Sequence, residues 1–190
     1  DLVKNILDNF AYLIDNFGFI PNGNRTYFLS RSQPPFFALM VNYYKKHLNL
    51  KSNIYLEQLI KEHAFWMEPD NGRLVKLKDG EFLNRYWDND PRPRPESYVE
   101  DVELAHNLNA DDAAMLFRNI RAACESGWDF SSRWLTNSHD LASIITTDLI
   151  PVDLNCLLYF LETEIANNLN RSEKEHYLNL APNRKNAINI

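Results

Sequence analysis

Apolar residues recur at helical spacing from the very start of the chain. The positions that repeat every three or four residues are Leu2, Ile6, Phe10, Leu13 and Phe17. This period is that of an amphipathic helix, and no capping residue precedes it. We therefore predict a first helix that is already under way at the first residue. We also expect the 190 residues to be the central part of one larger domain.

Proline and capping signals mark the starts of the next helices. Pro34 and Pro35 predict a helix that runs to about His47, because proline is accepted in a first helical turn. Ser52 is placed to cap a third helix that ends near Met67. Helix and loop are thus expected to alternate through this part of the chain.

Clear signals also mark the helices of the second half. Asn109 and Asp112 have the spacing of a capping box, ahead of a helix that ends at Gly127. Another helix is predicted from Pro151, and a last one from Ser172, which a glutamate three residues later can cap in return. The apolar face of the helix after Pro151 consists of Leu154, Leu157, Leu158, Leu161 and Ile165.

One segment breaks the helical pattern. Residues 73–86 alternate between apolar and polar positions around Asp79 and Gly80, a tight-turn pair, and predict a short β-hairpin. Pro91, Pro93 and Pro95 then indicate an extended segment at residues 90–96 and exclude helix there. The predicted fold is an all-α array with one hairpin insertion, in which the loops gather at one end and carry the function.

Composition limits the classes of function. The chain is 45% hydrophobic and 13% aromatic, which is enough for one sizeable core. A formal net charge of -6 argues against binding nucleic acid, which requires a surplus of Lys and Arg. No apolar run is long enough to cross a membrane, and Cys124 and Cys156 are interpreted as two buried thiols without a disulfide. A small neutral substrate fits this balance, in either the periplasm or the cytoplasm.

The most informative loop follows the helix that ends at Gly127. It presents Trp128, Asp129 and Phe130, and Trp134 comes four residues later. Aromatic faces cover the apolar C–H surface of a sugar, and a carboxyl group beside them loses water, which raises its pKa as a general acid requires. Asp129 is therefore a candidate catalytic acid. The alternative is that the aromatic residues belong to the core and that Asp129 only bonds backbone amides in a turn.

Two other loops place polar side chains where a sugar could bind. Asn22, Arg31 and Gln33 precede the second helix, and the donors of Arg and Gln suit a vicinal diol. Arg94 and Glu96 lie in the segment that proline makes rigid, which would position them in advance. The alternatives are structural: local bonds at a turn for the first loop, and a solvated ion pair on a surface linker for the second.

Other signals are interpreted as carrying no function. They include the acidic run Glu100, Asp101 and Glu103 and the glycosylation sequons at Asn24 and Asn170. The histidines never recur at the spacing of metal ligands, and the glycines form no phosphate-binding loop. Carbohydrate is therefore favoured over a metal ion or a nucleotide as the ligand.

Taken together, five strings resemble the trehalases of glycoside hydrolase family 37. They are residues 20–25 (IPNGNR), 29–37 (LSRSQPPFF), 94–98 (RPESY), 125–134 (ESGWDFSSRW) and 150–155 (IPVDLN). The resemblance covers essentially the whole chain and implies an (α/α)6 toroid, of which this chain is a part. It also implies hydrolysis of α,α-trehalose to two glucose molecules, with inversion at one anomeric carbon and without a metal or organic cofactor.

The resemblance also implies a role for each candidate residue. Asp129 falls at the proton donor of the family, and Gly127 falls on the loop that touches substrate. The family's sugar-binding positions are matched by Asn22, Arg31, Gln33, Arg94 and Glu96. Its first signature and its catalytic base, a glutamate, are expected outside residues 1–190. The expected partners are thus trehalose and the missing parts of the same polypeptide, and the chain alone is not expected to turn over.

Two other functions stay open. Another toroidal glycosidase would share the fold and would differ in the loops that carry Arg31, Gln33 and Arg94. A non-catalytic carbohydrate-binding module would lack the glutamate base in the complete polypeptide. A panel of glucosides distinguishes the first alternative, and the sequence of the complete protein distinguishes the second.

Overall fold

The structure is a computed structural model that describes residues 2–50, 54–78 and 80–189, with only the backbone of residues 171–173. Within these residues the chain forms seven α-helices and a two-stranded antiparallel sheet. The helices are α1 Leu2–Phe17, α2 Phe37–His47, α3 Leu56–Met67, α4 Tyr98–Leu104, α5 Ala110–Ser126, α6 Val152–Asn168 and α7 Arg171–Ile188, and the strands are β1 Leu74–Lys76 and β2 Phe82–Asn84. The mostly helical fold and the hairpin are confirmed, whereas closure into a toroid stays a prediction.

Most predicted helix limits are confirmed to within a few residues. The start of α2 is wrong by three positions, since the helix begins at Phe37 and not at Pro34. A residue that precedes proline is pushed out of the helical region, and Pro34 precedes Pro35. The last helix begins one residue before Ser172. Ser52 and Asp79 lie outside the described residues, so the predicted cap and tight turn stay predictions.

The short helix α4 is absent from the predicted elements. It continues a 3₁₀ turn at Pro95–Ser97 that begins inside the segment predicted to be extended. Pro95 starts this turn, because the first position of a helical turn needs no N–H donor. The exclusion of helix is therefore wrong at the end of the segment. Two turns of helix are also too short for a periodic apolar pattern to show.

Helix α1 buries one part of its apolar surface and exposes the other. Leu7, Ala11 and Ile14 are buried, whereas Leu2 is 75% exposed and Phe17 is 44% exposed. The buried face contacts α2 and α3. Because the apolar residues of α1 form two adjoining stripes, periodicity alone does not decide which stripe faces the neighbouring helices.

Helix α6 supplies the centre of the core. It contacts α2, α3, α7 and β2. The predicted apolar face is confirmed: Leu154, Leu158, Leu161 and Ile165 are fully buried, and Leu157 is partly buried.

A buried polar cluster fixes α7 and the hairpin to α6. Arg184 of α7 donates to Glu162 of α6 at 2.9 Å and to the side-chain oxygens of Asn84 and Asn155, each at 2.8 Å. Asn155 also bonds the backbone N–H and C=O of Asn84, both at 2.8 Å. A two-stranded hairpin is marginal by itself in water. Here the polar cluster attaches the hairpin to the core. Arg73 directly precedes β1 and Arg85 directly follows β2, so both lie at the open end of the hairpin.

Helix α5 begins at a side-chain cap and ends at a glycine. The Asn109 side-chain oxygen accepts from the backbone N–H groups of Asp111 and Asp112, both at 3.0 Å. Asp112 accepts in return at 2.7 Å, but from the Asn109 side-chain amide and not from its backbone. The predicted capping box is thus present in a modified form. Gly127 has φ +71°, which favours glycine and stops the helix just before Trp128.

The Asn109 cap generates a stability prediction. We expect Asn109→Ala to lower the free energy of unfolding by about 1 kcal/mol, since two backbone N–H groups of α5 lose their acceptor. Chemical denaturation followed by circular dichroism measures the change. Asn107→Ala is the matched control, because Asn107 is exposed and makes no side-chain hydrogen bond within the described residues. Equal losses in the two variants would contradict the role of the cap.

Candidate active site

A cavity of about 580 Å³ opens beside the C-terminal end of α5. It is lined by four of the seven predicted site residues, Asn22, Gln33, Gly127 and Asp129, and also by Cys124, Trp128 and Ser131. An adjoining, mostly apolar cavity of about 390 Å³ shares Asn22 and Gln33 with it. The structure therefore brings together residues that lie more than 100 positions apart, as the Asn22–Cys124 separation of 102 shows.

Asp129 lies three residues beyond the end of α5. Trp128 before it is 56% exposed at the cavity, whereas Trp134 is 1% exposed and donates from Nε1 to the Trp128 carbonyl at 3.0 Å. Phe130 after it adopts a left-handed conformation with φ +52°, which is uncommon for a bulky residue. The structural alternative thus holds for Trp134, which belongs to the core, but not for Trp128.

The surroundings of Asp129 shift its pKa in opposite directions. Partial burial raises the pKa of its carboxyl group, and this is the largest effect. A backbone hydrogen bond, the guanidinium groups of Arg31 and Arg94 and the Cys124 thiol each lower that pKa. The net direction is upward from the ordinary value of an aspartate. A carboxyl group shifted in this direction holds its proton to higher pH, as a general acid must.

The loop at residues 20–33 lies against the end of α5. Backbone bonds join Asn22 N–H to the Arg31 carbonyl at 3.0 Å and Gln33 N–H to the Ile20 carbonyl at 2.7 Å. The Asn22 side-chain amide donates to the Cys124 carbonyl at 3.1 Å, and the Gln33 amide donates to the Asn22 carbonyl at 2.8 Å. Local bonds therefore occupy the side-chain nitrogen of Asn22 and the side-chain nitrogen of Gln33. The same bonds hold the loop at the cavity.

Arg31 is buried but not fully bonded. Its Nε donates to the Asn22 side-chain oxygen at 3.0 Å, and its Nη2 forms a salt bridge with Glu96. The guanidinium group also lies over the Phe28 ring, 5.1 Å from the centroid. Nη1 is buried and has no partner among the described residues. Because a buried donor without an acceptor is costly, this nitrogen is a candidate to bind a ligand.

Arg94 is held by a carboxylate from α4. Asp101 is buried and accepts from Arg94 Nη2 at 2.7 Å, from Nε at 3.0 Å and from the Arg94 backbone N–H at 2.8 Å. The interpretation that the acidic run carries no function is therefore wrong for Asp101, which positions Arg94. Glu100 and Glu103 of the same run are exposed. No sequence signal identifies Asp101, because its pairing with Arg94 seven residues earlier depends on α4, which the sequence pattern does not predict.

The remaining nitrogen of Arg94 points toward the end of α5. Nη1 donates to the Cys124 sulfur at 3.4 Å, and the guanidinium group lies 5.0 Å from the centroid of the Phe130 ring. Cys124 is buried as expected, but its thiol makes polar contacts. Cys156 is exposed in the described chain, so its predicted burial is wrong.

Another buried arginine fixes the proline-rich segment. Arg121 of α5 donates to Asp88 at 2.9 Å, to Asp90 at 3.2 Å and to the Arg92 carbonyl at 3.4 Å. Arg92 itself is exposed and pairs with Asp90 at 2.8 Å. Both interpretations of this segment thus apply at different positions. Arg92 forms a surface ion pair, whereas Arg94 is buried and positioned.

Glu125 joins the loops around the cavity. One carboxylate oxygen accepts from the backbone N–H of Ser32 at 2.8 Å, from its hydroxyl at 2.9 Å, and from Arg73 Nε at 3.1 Å and Nη2 at 2.5 Å. The other accepts from the Trp87 N–H at 2.9 Å. Glu125 lies in one of the strings that resemble the family, but neither the pattern nor the resemblance predicts a role for it. The signal in the sequence that could have identified Glu125 is a charged residue within the predicted last turn of a helix, next to Cys124, which is interpreted as buried.

No group of three or more His, Cys, Asp or Glu side chains in the described part of the chain is arranged to hold a metal ion. No helix among the residues that the structure describes is long and apolar enough to cross a membrane.

The Arg94–Asp101 pair generates a second prediction. We expect Asp101→Ala to lower the free energy of unfolding by about 3 to 5 kcal/mol, since it leaves the Arg94 cation buried without a carboxylate. Glu103→Ala is the matched control on the same helix, because Glu103 is exposed. Thermal and chemical denaturation measure both variants. A loss for Asp101→Ala no larger than that of the control would show that this pair does not hold the loop.

Comparison with known proteins agrees with the sequence resemblance. The trehalase family profile matches residues 1–190. The periplasmic trehalase of Pseudomonas aeruginosa is 55% identical over 173 residues, which cover 86% of this chain and 32% of that protein. The periplasmic trehalase of Salmonella paratyphi B is 49% identical over 205 residues, which cover 100% of this chain and 36% of that protein.

A solved structure shares the fold. The neutral trehalase of Saccharomyces cerevisiae superimposes with a TM-score of 0.73 at 24% identity, over 97% of this chain and 39% of that one. The chain spans about a third of the length of the curated relatives that it matches. The family match over all its residues and the identity of about half to these relatives show that the chain belongs to the trehalase family.

Proposed function

We propose that the complete protein hydrolyses α,α-trehalose to two glucose molecules, with Asp129 as the general acid. One observation carries the proposal: in a member of the trehalase family, a carboxyl group with a raised pKa lines a polar cavity beside Asn22 and Gln33. The relatives from Pseudomonas aeruginosa and Salmonella are themselves named periplasmic trehalases. Their names favour the periplasm over the cytoplasm as the compartment, which osmotic-shock fractionation would test.

In the proposed reaction, Asp129 gives its proton to the glycosidic oxygen as the bond from that oxygen to one anomeric carbon breaks. A water molecule attacks this carbon from the opposite face and gives its own proton to a base. An inverting enzyme places the two carboxyl groups roughly 6.5–9.5 Å apart, with the water between them. Asp129 is the one carboxylate among the described residues that line the cavity. The resemblance to the family implies a glutamate as the base, and we propose that it lies outside residues 1–190.

The proposed sugar-binding residues divide into two kinds. Arg31 and Gln33 have atoms left to bond hydroxyls, since Arg31 Nη1 is buried without a partner and the Gln33 side-chain oxygen accepts no bond from the described residues. Asn22 and Glu96 bond Arg31 and set its orientation. Arg94 reaches the cavity wall through Cys124, and Gly127 leaves the backbone beside Asp129 open, with no atom within 4 Å of where a side chain would begin.

A product analysis tests this function against the two alternatives. Nuclear magnetic resonance of the full-length protein with trehalose should show equal initial amounts of β-glucose, from the attacked ring, and α-glucose, from the leaving group. Maltose and other α-glucosides in parallel distinguish a different toroidal glucosidase. Binding of trehalose without any release of glucose would indicate a carbohydrate-binding module and would refute the proposed hydrolysis.

Substitution of Asp129 tests the assignment of the acid. We expect Asp129→Asn to lower kcat on trehalose by about 10² to 10⁴-fold, because an amide has no proton to give to the leaving oxygen. Asp148→Asn is the matched control, since Asp148 is exposed and does not line the cavity. Near wild-type turnover in Asp129→Asn, with correct folding, would remove Asp129 from the mechanism.

The raised pKa of Asp129 generates a pH prediction. The acid works only while protonated, so activity is present below its pKa and falls as the pH rises through it. Because burial raises that pKa, the alkaline limb of kcat/KM should lie above the ordinary aspartate value of about 4. A steady-state profile on trehalose measures the limb. Loss of activity already at about pH 4 would show that burial does not control this group.

A further inference from the structure

We infer that Phe130 is a positioning residue for Asp129, because its ring packs against Arg94 and holds the backbone turn that carries the acid. This inference rests on the proposed function, since the direction of Asp129 affects the reaction only if Asp129 is the general acid. Phe130 is not one of the described residues that line the cavity beside Asp129, so it acts through its neighbour and not on the sugar directly.

The first step is the backbone turn that contains Asp129. The Ser131 N–H donates to the Trp128 carbonyl at 3.0 Å, which closes a four-residue turn with Asp129 and Phe130 at its centre. Trp134, which is buried, donates from Nε1 to the same carbonyl at 3.0 Å. The ends of the turn are therefore joined to each other and to the core. The direction of the Asp129 side chain then depends on the conformation of the two central residues.

The second step is the conformation of Phe130 within this turn. Its φ is +52°, a left-handed value for which the third position of a turn ordinarily uses glycine or asparagine. A bulky side chain with a positive φ is strained, and such strain persists only where surrounding contacts hold the residue in place. The backbone alone thus disfavours phenylalanine here, so the contacts of the ring have to offset the strain.

The third step is the contact between the Phe130 ring and Arg94. The guanidinium carbon of Arg94 lies 5.0 Å from the ring centroid, within the range of a cation–π interaction. The guanidinium group is a fixed surface, since Asp101 accepts from its Nη2 at 2.7 Å and from its Nε at 3.0 Å. Arg94 is buried, so little water competes with the ring for the cation. The ring therefore attaches the turn to a buried ion pair.

These contacts determine where the Asp129 carboxyl group points. Because Asp129 is bonded directly to Phe130, a rotation of the Phe130 backbone turns the peptide unit between them and moves the carboxyl group relative to the cavity. A general acid must lie within hydrogen-bond reach of the oxygen that it protonates, and a misplacement of about 1 Å can cost roughly 10²-fold in rate. The Phe130 ring thus keeps the acid within reach of the glycosidic oxygen.

Two substrates with different leaving groups test the inference in the full-length protein. Cleavage of trehalose needs a proton on the leaving oxygen, whereas the fluoride of α-glucosyl fluoride is a weak base and leaves with little help from an acid. We expect Phe130→Leu to lower kcat/KM on trehalose by about 10 to 100-fold and on α-glucosyl fluoride by no more than about 3-fold. Phe130→Tyr keeps the aromatic face over Arg94 and should stay within about 3-fold of wild type on trehalose.

Two further variants separate the ring from the backbone and from a general loss of aromatic surface. Phe130→Gly removes the ring and accepts a positive φ without strain, so it should fold and show the same selective loss on trehalose. Phe82→Leu is the matched control, because Phe82 is 43% exposed, close to the 36% of Phe130, and does not line the cavity beside Asp129. This control should hydrolyse both substrates at the wild-type rate.

A ring that only stabilises the fold would change the Tm and leave the ratio of the two kcat/KM values as in wild type. That result would overturn the inference, as would wild-type kcat/KM on trehalose in both Phe130→Leu and Phe130→Gly. Equal losses on the two substrates would also overturn it, because both present the same glucosyl ring to Arg94 and the effect would then lie in sugar binding. If wild type does not hydrolyse the fluoride, the loss on trehalose in Phe130→Gly against Phe130→Tyr decides.

Asp129→Asn distinguishes failure of the inference from failure of the proposed function. This variant should show the same selective loss on trehalose, since it removes the proton that Phe130 is inferred to position. If Asp129→Asn keeps wild-type turnover on trehalose, the proposed acid is wrong. If Asp129→Asn loses that turnover and the Phe130 variants do not, the acid stands and the role of Phe130 is refuted.

Discussion

The buried carboxylate of Glu125 is the interaction on which the rest of the site depends. A carboxylate removed from water must find enough donors to replace its hydration, or the fold loses several kcal/mol. The donors that satisfy Glu125 come from three separate segments, through Ser32, Arg73 and Trp87. Each loop is therefore held at a fixed distance from the last turn of α5. Removing any one donor would leave the carboxylate short of its bonds.

The position of Glu125 in the helix explains why the site forms there. Cys124 immediately before it bonds Asn22 through its carbonyl, and Gly127 two residues later ends the helix and turns the chain into Asp129. One helical turn earlier, Arg121 fixes the proline-rich segment. The polar end of α5 thus binds the loops, while its apolar side packs in the core. Loop position and helix packing depend on the same short segment.

The part of this arrangement that local signals control could be predicted from the sequence. The stop at Gly127, the cap at Asn109 and the apolar face of α6 each follow from residues a few positions apart, and the structure has them. The residue pairs that hold the site together cannot be predicted from such local signals. Arg73 and Glu125 are 52 positions apart, and no periodicity or capping rule connects them. Asp101 reaches Arg94 from α4, a helix that no periodic pattern in the sequence predicts.

The pairing of the two arginines also bears on the pKa of Asp129. Unpaired cations beside a carboxyl group lower its pKa, often by 1 to 3 units. Arg31 and Arg94 lie close enough to lower the pKa of Asp129, but each already has a carboxylate of its own, Glu96 and Asp101. A paired arginine has a weaker field than an unpaired one. Burial has the largest effect on Asp129, and the net direction of its pKa is upward. The site can thus keep arginine donors near a sugar while the pKa of Asp129 remains raised, because those arginines are paired with Glu96 and Asp101.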